Sequence, residues 1–503
     1  MAQGVLPFQY EAEKCSGGLT GFAGLGVYLE LMKVSGLPAA VRRHIGAAGR
    51  QGWLDVQMVM ALMALNLCGG DRVEDLERLE ADEGFAEVLR EVEKGLLSRR
   101  ERREMKSRFR RGRGRALPSP SALSAWLERF HDAAEEAKRA PGRAFIPRPS
   151  APLRGLWRVN QALLSFLQRH RRESVATLDM DATLVETHKR QALYCYKHFK
   201  AYQPLNTWWA EQGVFVHSEF RDGNVPAGHQ QLRVFREALA GLPGGVRKVC
   251  LRSDTAAYQQ DLLLYCGEGK DGRFGVIEFA VGADVTEEFR RAVLALPEAE
   301  WHPLYRSFEG QRHETDQEWA EVCFVPKWAG HSKKRADYRF LAIREPLRQL
   351  DLGDADQLPF PTAEFAAKGR YKLFGVVTNR ALPGDEVIWW LRERCGKSEE
   401  AHAVMKDDLA GGTLPSGLFG ANAAWWAIMV LAHNLNAAMK RLVLGPAWVA
   451  KRMKAIRFAL IALPGRVMRR SRRLIIRLAR DHPGLDLLLA ARRTILALPR
   501  GPT

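Results

Sequence analysis

Carboxylates stand at three places in this sequence where a basic or apolar context makes them costly. Asp179 and Asp181 lie in the run VATLDMDATLV. In a strand, period two points both to one face, although a pair of surface acids on an edge strand would read the same way. Asp254 follows the apolar run VRKVCLRS and precedes a helical pattern. Ligand and catalytic groups of α/β proteins gather at such carboxyl ends of strands, and an aspartate there also caps a helix well. Glu399 and Lys406 are seven residues apart in RERCGKSEEAHAVMK, about two turns of an α-helix and so on one face. Alone, that segment reads as charged helix surface. Converging carboxylates raise each other's pKa unless a cation neutralises them. All-oxygen ligands suit Mg2+ or Mn2+ rather than zinc. Two such ions can activate an attacking oxygen and stabilise a leaving one during phosphodiester cleavage.

The elements that must position these groups follow from the pattern around them. From about 174 onward the chain alternates strands and helices, which predicts an α/β layer. Expected strands are 175–184, 213–220, 246–252 and 275–281, with helices at 230–242 and 258–265. A second β-rich stretch has strands near 320–325, 338–344 and 372–378, followed by helices over 385–409 and 419–444. Residues 1–165 read as helical, with a buried helix entered at Asp55. Segment 94–115 carries eleven basic residues, Arg110 and Arg111 among them, and two acidic ones. It is either a solvated linker or an arm that grips phosphates. The tail from 451 to 498 reads as helical and arginine-rich.

Composition bounds what this frame can serve. With 503 residues, 46% hydrophobic and 27% charged, the chain is long enough for two or three packed units and is neither disordered nor fibrous. A net charge of +18 points to a polyanionic partner, nucleic acid before membrane. The seven cysteines never form a CxxC pair, which argues against zinc sites and disulfides. No signal peptide is visible at the N-terminus, and the apolar runs 59–65 and 423–432 are too short to span a bilayer. The expectation is a cytoplasmic, nucleoid-associated protein without a membrane partner.

Read in order, LDMDATLVETHKRQ, YKHFKAYQPL, EFRDGN, LRSDTAAY, VVTN, RERCGKSEEAHAVMK and FGANAAWW resemble the motifs of DDE-class insertion-sequence transposases. The resemblance is greatest to the thirteen-eighty family of bacterial insertion sequences and spans roughly half the chain. It implies an α/β fold: an RNase H-like mixed sheet with flanking helices, a β-rich insertion and an N-terminal helical domain. The implied regions are 1–165 for DNA-end binding, 166–282 and 384–445 for the catalytic core, 283–383 for the insertion, and 446–503 for a basic helical end. It further implies a catalytic, metal-holding triad of Asp181, Asp254 and Glu399, with gaps of 73 and 145 residues. Two Mg2+ ions, or Mn2+ in their place, would serve cut-and-paste cleavage and strand transfer, with a hairpin at the excised end. Related enzymes carry a Tyr, Arg, Glu, Lys signature on the last helix. This chain keeps Arg394, Glu399 and Lys406, has Leu391 in place of the Tyr, and holds one extra residue between Arg and Glu. Glu400 therefore competes with Glu399, and Asp179 is the alternate on the strand. DNA contacts are implied for Arg394 and Lys406, and for the insertion's Trp328 with Lys333 and Lys334, where an aromatic can stack on a flipped base. The partners implied are terminal inverted repeats and target DNA, bound by a homodimer in a synaptic complex.

Two other readings compete. VATLDMDATLV fits the DxDxT strand of haloacid-dehalogenase-like phosphatases, with Asp179 as nucleophile and Asp181 as general acid. Their later acidic pair is missing, since Asp407 and Asp408 fall within an expected helix. The other is a catalytically inert DNA-binding relic of a transposase.

Overall fold

The computed structural model describes residues 17–109, 112–326, 338–347, 360–365 and 368–499. They divide into two units: residues up to Trp126 together with those from Met439 on, and Leu127–Ala438.

The second unit is built on one mixed sheet. Its elements are α1 (Ala151–His170), β1 (Val175–Ala182), β2 (Leu205–Trp209), β3 (Val214–Glu219), α2 (Gln231–Gly241), β4 (Lys248–Ser253), α3 (Gln260–Gly267), β5 (Glu278–Ala283) and α4 (Glu287–Leu294). Then follow β6 (His302–Phe308), β7 (Gln311–Val322), β8 (Arg339–Pro346), β9 (Gly369–Thr378), α5 (Gly384–Arg392), α6 (Lys397–Ala403) and α7 (Phe419–Ala438). The strand order is β6-β7-β8-β9-β5-β4-β1-β2-β3, and the short strand Thr362–Phe365 pairs with β9. Strands β1, β2 and β3 are antiparallel neighbours, whereas β4 and β5 join parallel to β1 through helical crossovers. The five-stranded part β3-β2-β1-β4-β5 is the RNase H-like arrangement expected from the sequence.

Three differences from expectation have physical causes. The β-rich stretch, expected as an insertion beside the core, continues the core's own sheet, because β9 pairs antiparallel with β5. That extension makes a seat: Val387 and Ile388 of α5 are buried against Ala280, Leu304, Leu341, Ile343 and Val376. Trp319 packs there too, and Trp301 is buried under Arg344, so both tryptophans serve the core. Helix α1 lies in the second unit, not with the N-terminal helices. Its stripe Leu156, Val159, Leu163 and Phe166 is buried, and Asn160 donates to the carbonyls of Phe215 and Val216 in β3. The run 385–409, expected as one helix, breaks after α5. Gly396 takes a left-handed φ of 83°, and a π-helical turn, Val404–Asp408, follows α6.

The first unit packs helices Leu25–Val34, Asp55–Cys68 and Glu83–Leu96 with the chain's C-terminal end. The tail is only partly helical. Gly465–Arg470 and Arg473–Arg477 form a hairpin that pairs with Leu19–Thr20, before the helix Gly484–Ala497. Arg457 donates to the carbonyls of Asn66 and Leu67, which satisfies acceptors that the end of the Asp55–Cys68 helix leaves open.

A buried ion pair sets the registry of β1 and β4. Asp179 on β1 faces Arg252 on β4, and Arg252 holds both of its oxygens, at 2.7 and 3.0 Å. Arg252→Ala leaves Asp179 buried without its cation and is expected to cost about 3–5 kcal/mol. Urea denaturation followed by tryptophan fluorescence measures this.

Candidate active site

The two strand aspartates share a face, as period two requires, but have opposite fates. Asp179 is 1% exposed. Burial raises its pKa against the pull of Arg252. Arg252 also donates to the Trp390 carbonyl and to Glu393, and lies over the Trp390 ring. Asp179 is thus tied into the core. A phosphatase nucleophile could not be held by both oxygens in this way.

Asp181 sits two residues on, where the strand reaches the sheet's edge, with 19% of its side chain exposed. Arg394 Nη1 lies 4.0 Å and His402 Nδ1 3.9 Å from its Oδ2. Its pKa is pushed up to about 6, chiefly by burial. Arg394 pulls it down, while Asp254 and Glu399 push it up.

Asp254 arrives beside it through strand registry. Ser253 faces Met180 across the parallel pair, and its hydroxyl donates to the Met180 carbonyl at 2.9 Å. Asp254 then ends the strand and accepts from the Ala256 N–H at 3.0 Å, capping the short 3-10 turn Thr255–Ala257. Both roles expected of this residue, strand end and cap, are combined in it. The turn fits because β5 carries Gly282, where a Cβ would stand 2.9 Å from the Thr255 nitrogen.

Glu399 comes from α6, after the break. Its negative charge is among those that raise Asp181. Glu399 and Glu400 are both exposed. The π-helical turn corrects the premise that Glu399 and Lys406 share one α-helical face. Lys406 nevertheless comes near the site, because its charge helps depress His402.

The sequence offered no signal for His402 and Asn206, because their roles exist only across elements. Burial first, then Lys406, Arg394 and His433, brings the His402 pKa down to about 3, so the ring is neutral at neutral pH. One chain of hydrogen bonds decides which nitrogen carries its proton. The Trp426 indole, which can only donate, bonds Ser218 Oγ at 2.7 Å. Ser218 donates to Asn206 Oδ1 at 2.5 Å, a length suited to O–H···O and short for N–H···O. The Asn206 amide nitrogen then donates to His402 Nε2 at 3.0 Å. On this assignment the proton resides on Nδ1, the nitrogen that faces Asp181.

Among the described residues, no group of three His, Cys, Asp or Glu side chains is arranged to hold a metal ion as it stands. The donor chemistry fits one all the same: oxygen-only ligands from Asp181, Asp254 and Glu399, with mutual repulsion that a hard divalent cation would relieve. Trp328, Lys333, Lys334, Arg110 and Arg111 lie outside the described residues.

The sign of the Asp181 shift gives a stability test. The folded chain binds this proton more tightly than the unfolded chain, about 6 against an ordinary 3.8. The stabilisation from the protonated form is complete below about pH 4 and is lost as pH rises through about 6. In EDTA at pH 7.5, Asp181→Asn should therefore be more stable than wild type by about 2–3 kcal/mol. The difference should shrink as pH falls towards 4, as read by urea denaturation.

The family model for the transposase DDE domain, group 1, matches residues 11–500. No curated protein matches the chain by sequence. Among solved structures, the cryo-EM structure of a piggyBac transposase synaptic complex with hairpin DNA is similar at a TM-score of 0.41. It has 9% identity, over 96% of this chain and 85% of that one. The family model covers nearly the whole sequence, and the chain belongs to the DDE transposase family.

Proposed function

We propose that this DDE transposase is the cut-and-paste enzyme of a bacterial insertion sequence, of the thirteen-eighty type its motif order resembles. The observation that supports this most is the registry of β1 and β4, which ends both strands in a carboxylate, Asp181 beside Asp254, with Asp254 and Glu399 both close enough to raise Asp181. Asp181, Asp254 and Glu399 would hold two Mg2+ ions, or Mn2+. Bound there, such ions lower the pKa of an attacking oxygen and offset charge on the leaving one.

The chain's own residues prepare that chemistry. Neutral His402 turns its Nδ1 towards Asp181 from 3.9 Å and adds no charge to the site. Arg394 and Lys406 supply positive charge for the scissile phosphate. Cleavage is attack by water on phosphorus, with the 3′ oxygen leaving as a hydroxyl. Strand transfer is attack by that hydroxyl on a target phosphodiester, so one P–O bond forms as another breaks and no outside energy source is needed. End recognition is assigned to the N-terminal helices, and synapsis of two terminal inverted repeats to a homodimer, in the cytoplasm on the nucleoid.

Parts of the basic arm are already committed. Arg108 bonds the carbonyls of Gly49 and Gly52, Arg113 Nη1 donates to both oxygens of Glu93, and Arg115 pairs with Glu77. The hairpin arginines Arg470, Arg472 and Arg473 are exposed and better placed for phosphates. Changing these three to Gln should flatten the salt dependence of end binding by up to about 0.9 per charge in log–log slope, leaving sequence preference intact.

Linear DNA carrying the element's ends, with Mg2+, tests the activity. Asp181→Asn, Asp254→Asn and Glu399→Gln should each lower cleavage on the order of 10³-fold or more with end binding retained. Glu400→Gln should stay within about fivefold of wild type. A dead Glu400→Gln with active Glu399→Gln would exchange the two glutamates. Binding by wild type without any strand break would favour the inert relic.

A further inference from the structure

Between β1 and β2 the chain makes an excursion that the reading above does not use. Its short strands Val185–Glu186, Leu193–Tyr194 and Lys200–Tyr202 form a small sheet with the last in the middle. The excursion prolongs the β1–β2 hairpin. Asp181 faces Asn206, Ala182 faces Leu205, the Thr183 N–H donates to the Pro204 carbonyl, and Val185 faces Tyr202. Asp181 therefore sits at the root of a finger.

The root is fixed and the tip is open. Ala192, Cys195 and Ala201 are buried, and Tyr202 stacks on Phe220 at 4.8 Å. The EFRDGN turn packs against the finger's backbone. A Cβ on Gly223 would lie 2.5 Å from the Ala201 oxygen and 2.8 Å from that of Leu193, so only glycine allows this approach. At the far end, the Cys195 N–H donates to the Phe199 carbonyl, and His198 takes a left-handed φ of 64°. Tyr194 and Tyr196 are 64% and 69% exposed. The ammonium groups of Lys200 and Lys197 lie 5.9 and 5.8 Å from their respective ring centroids. From Thr187 to Ala210 there is no Asp or Glu, while Lys189, Arg190, Lys197 and Lys200 are present.

Exposed rings flanked by ammonium groups match nucleic acid whose bases are unpaired. The rings offer stacking faces and the lysines take phosphates. Bases inside a duplex are already stacked and leave no free face. A second copy of this chain would bring like charge against like charge. We propose that finger 185–202 receives unpaired bases of the DNA strand passing the Asp181 edge, with Tyr194 and Tyr196 stacking on them and Lys197 and Lys200 on the flanking phosphates. This deepens the transposase reading and rests on it.

The test uses full-length, metal-free protein and two fluorescein-labelled probes, a twenty-nucleotide oligothymidylate and a duplex of equal length, read by anisotropy. The Tyr194→Leu, Tyr196→Leu double variant should weaken oligothymidylate binding about tenfold or more and duplex binding less than about twofold. Phenylalanine at both positions should restore binding. As an independent variant, Lys197→Gln with Lys200→Gln should flatten the single-strand salt slope by about 0.7 per charge. Equal losses on both probes, or no loss on the single strand, would overturn the proposal. So would a change in sedimentation of the leucine variant with its DNA binding intact, which would give the face to a second copy. If DNA cleavage survived Asp181→Asn while the tyrosine effect held, the catalytic assignment would fall and the finger would stand.

Discussion

The buried pair of Asp179 and Arg252 is the joint on which the unit built on the mixed sheet depends. It crosses the parallel contact between β1 and β4, so it fixes which residue of one strand faces which residue of the other. With that registry set, Asp181 and Asp254 must emerge side by side at one edge of the sheet. The same guanidinium bonds the Trp390 carbonyl and Glu393, which ties α5 to the strand pair and delivers Arg394 to Asp181. A hydrophobic pair could stabilise the sheet as well, but it would not bind both strands and the helix end through directed bonds.

Beyond this joint, the protein accumulates negative charge where it is costly. Burial and two neighbouring carboxylates raise Asp181 to about 6, so the ionised site carries unfavourable energy that a bound cation would relieve. The surroundings keep that cost bearable without removing it. Arg394 stands at 4.0 Å, outside hydrogen-bond range, and His402 is kept neutral by burial. A tighter salt bridge would satisfy the carboxylate and leave less for a cation to relieve. Preorganised, partly unsatisfied groups are what electrostatic catalysis requires.

Much of what resembles a family signature does architectural work. Asn379 of VVTN bonds the Phe279 N–H and the Ile277 carbonyl, continuing the β5–β9 pairing with a side chain. Asn422 of FGANAAWW bonds both the N–H and the carbonyl of Ser416. In EFRDGN, Glu219 pairs with Arg221 and Arg233, while Asp222 pairs with Arg139. The β-rich insertion likewise acts through packing, since it seats the helix that precedes Glu399. These residues spend their bonds on the fold itself.

The sequence by itself determined the α/β class, most strands of the sheet, and the three carboxylates worth testing. Those follow from local causes: period-two alternation, apolar runs ending in a carboxylate, and motifs kept in a fixed order. It also made the α5–α6 region look like one helix, because helical propensity extends across Gly396 and nothing local announces the π-helical turn. Tertiary structure alone decided that Asp179 is held by Arg252 in the core while Asp181 stays partly exposed at the end of its strand. The two differ only in which strand, helix or solvent each side chain meets. It likewise decided that Arg108, Arg113 and Arg115 are partly spent on their own fold, and that Asn206 sets the proton position on His402. Those outcomes depend on groups far apart in the chain coming within hydrogen-bond distance. Spacing along a sequence carries no record of that.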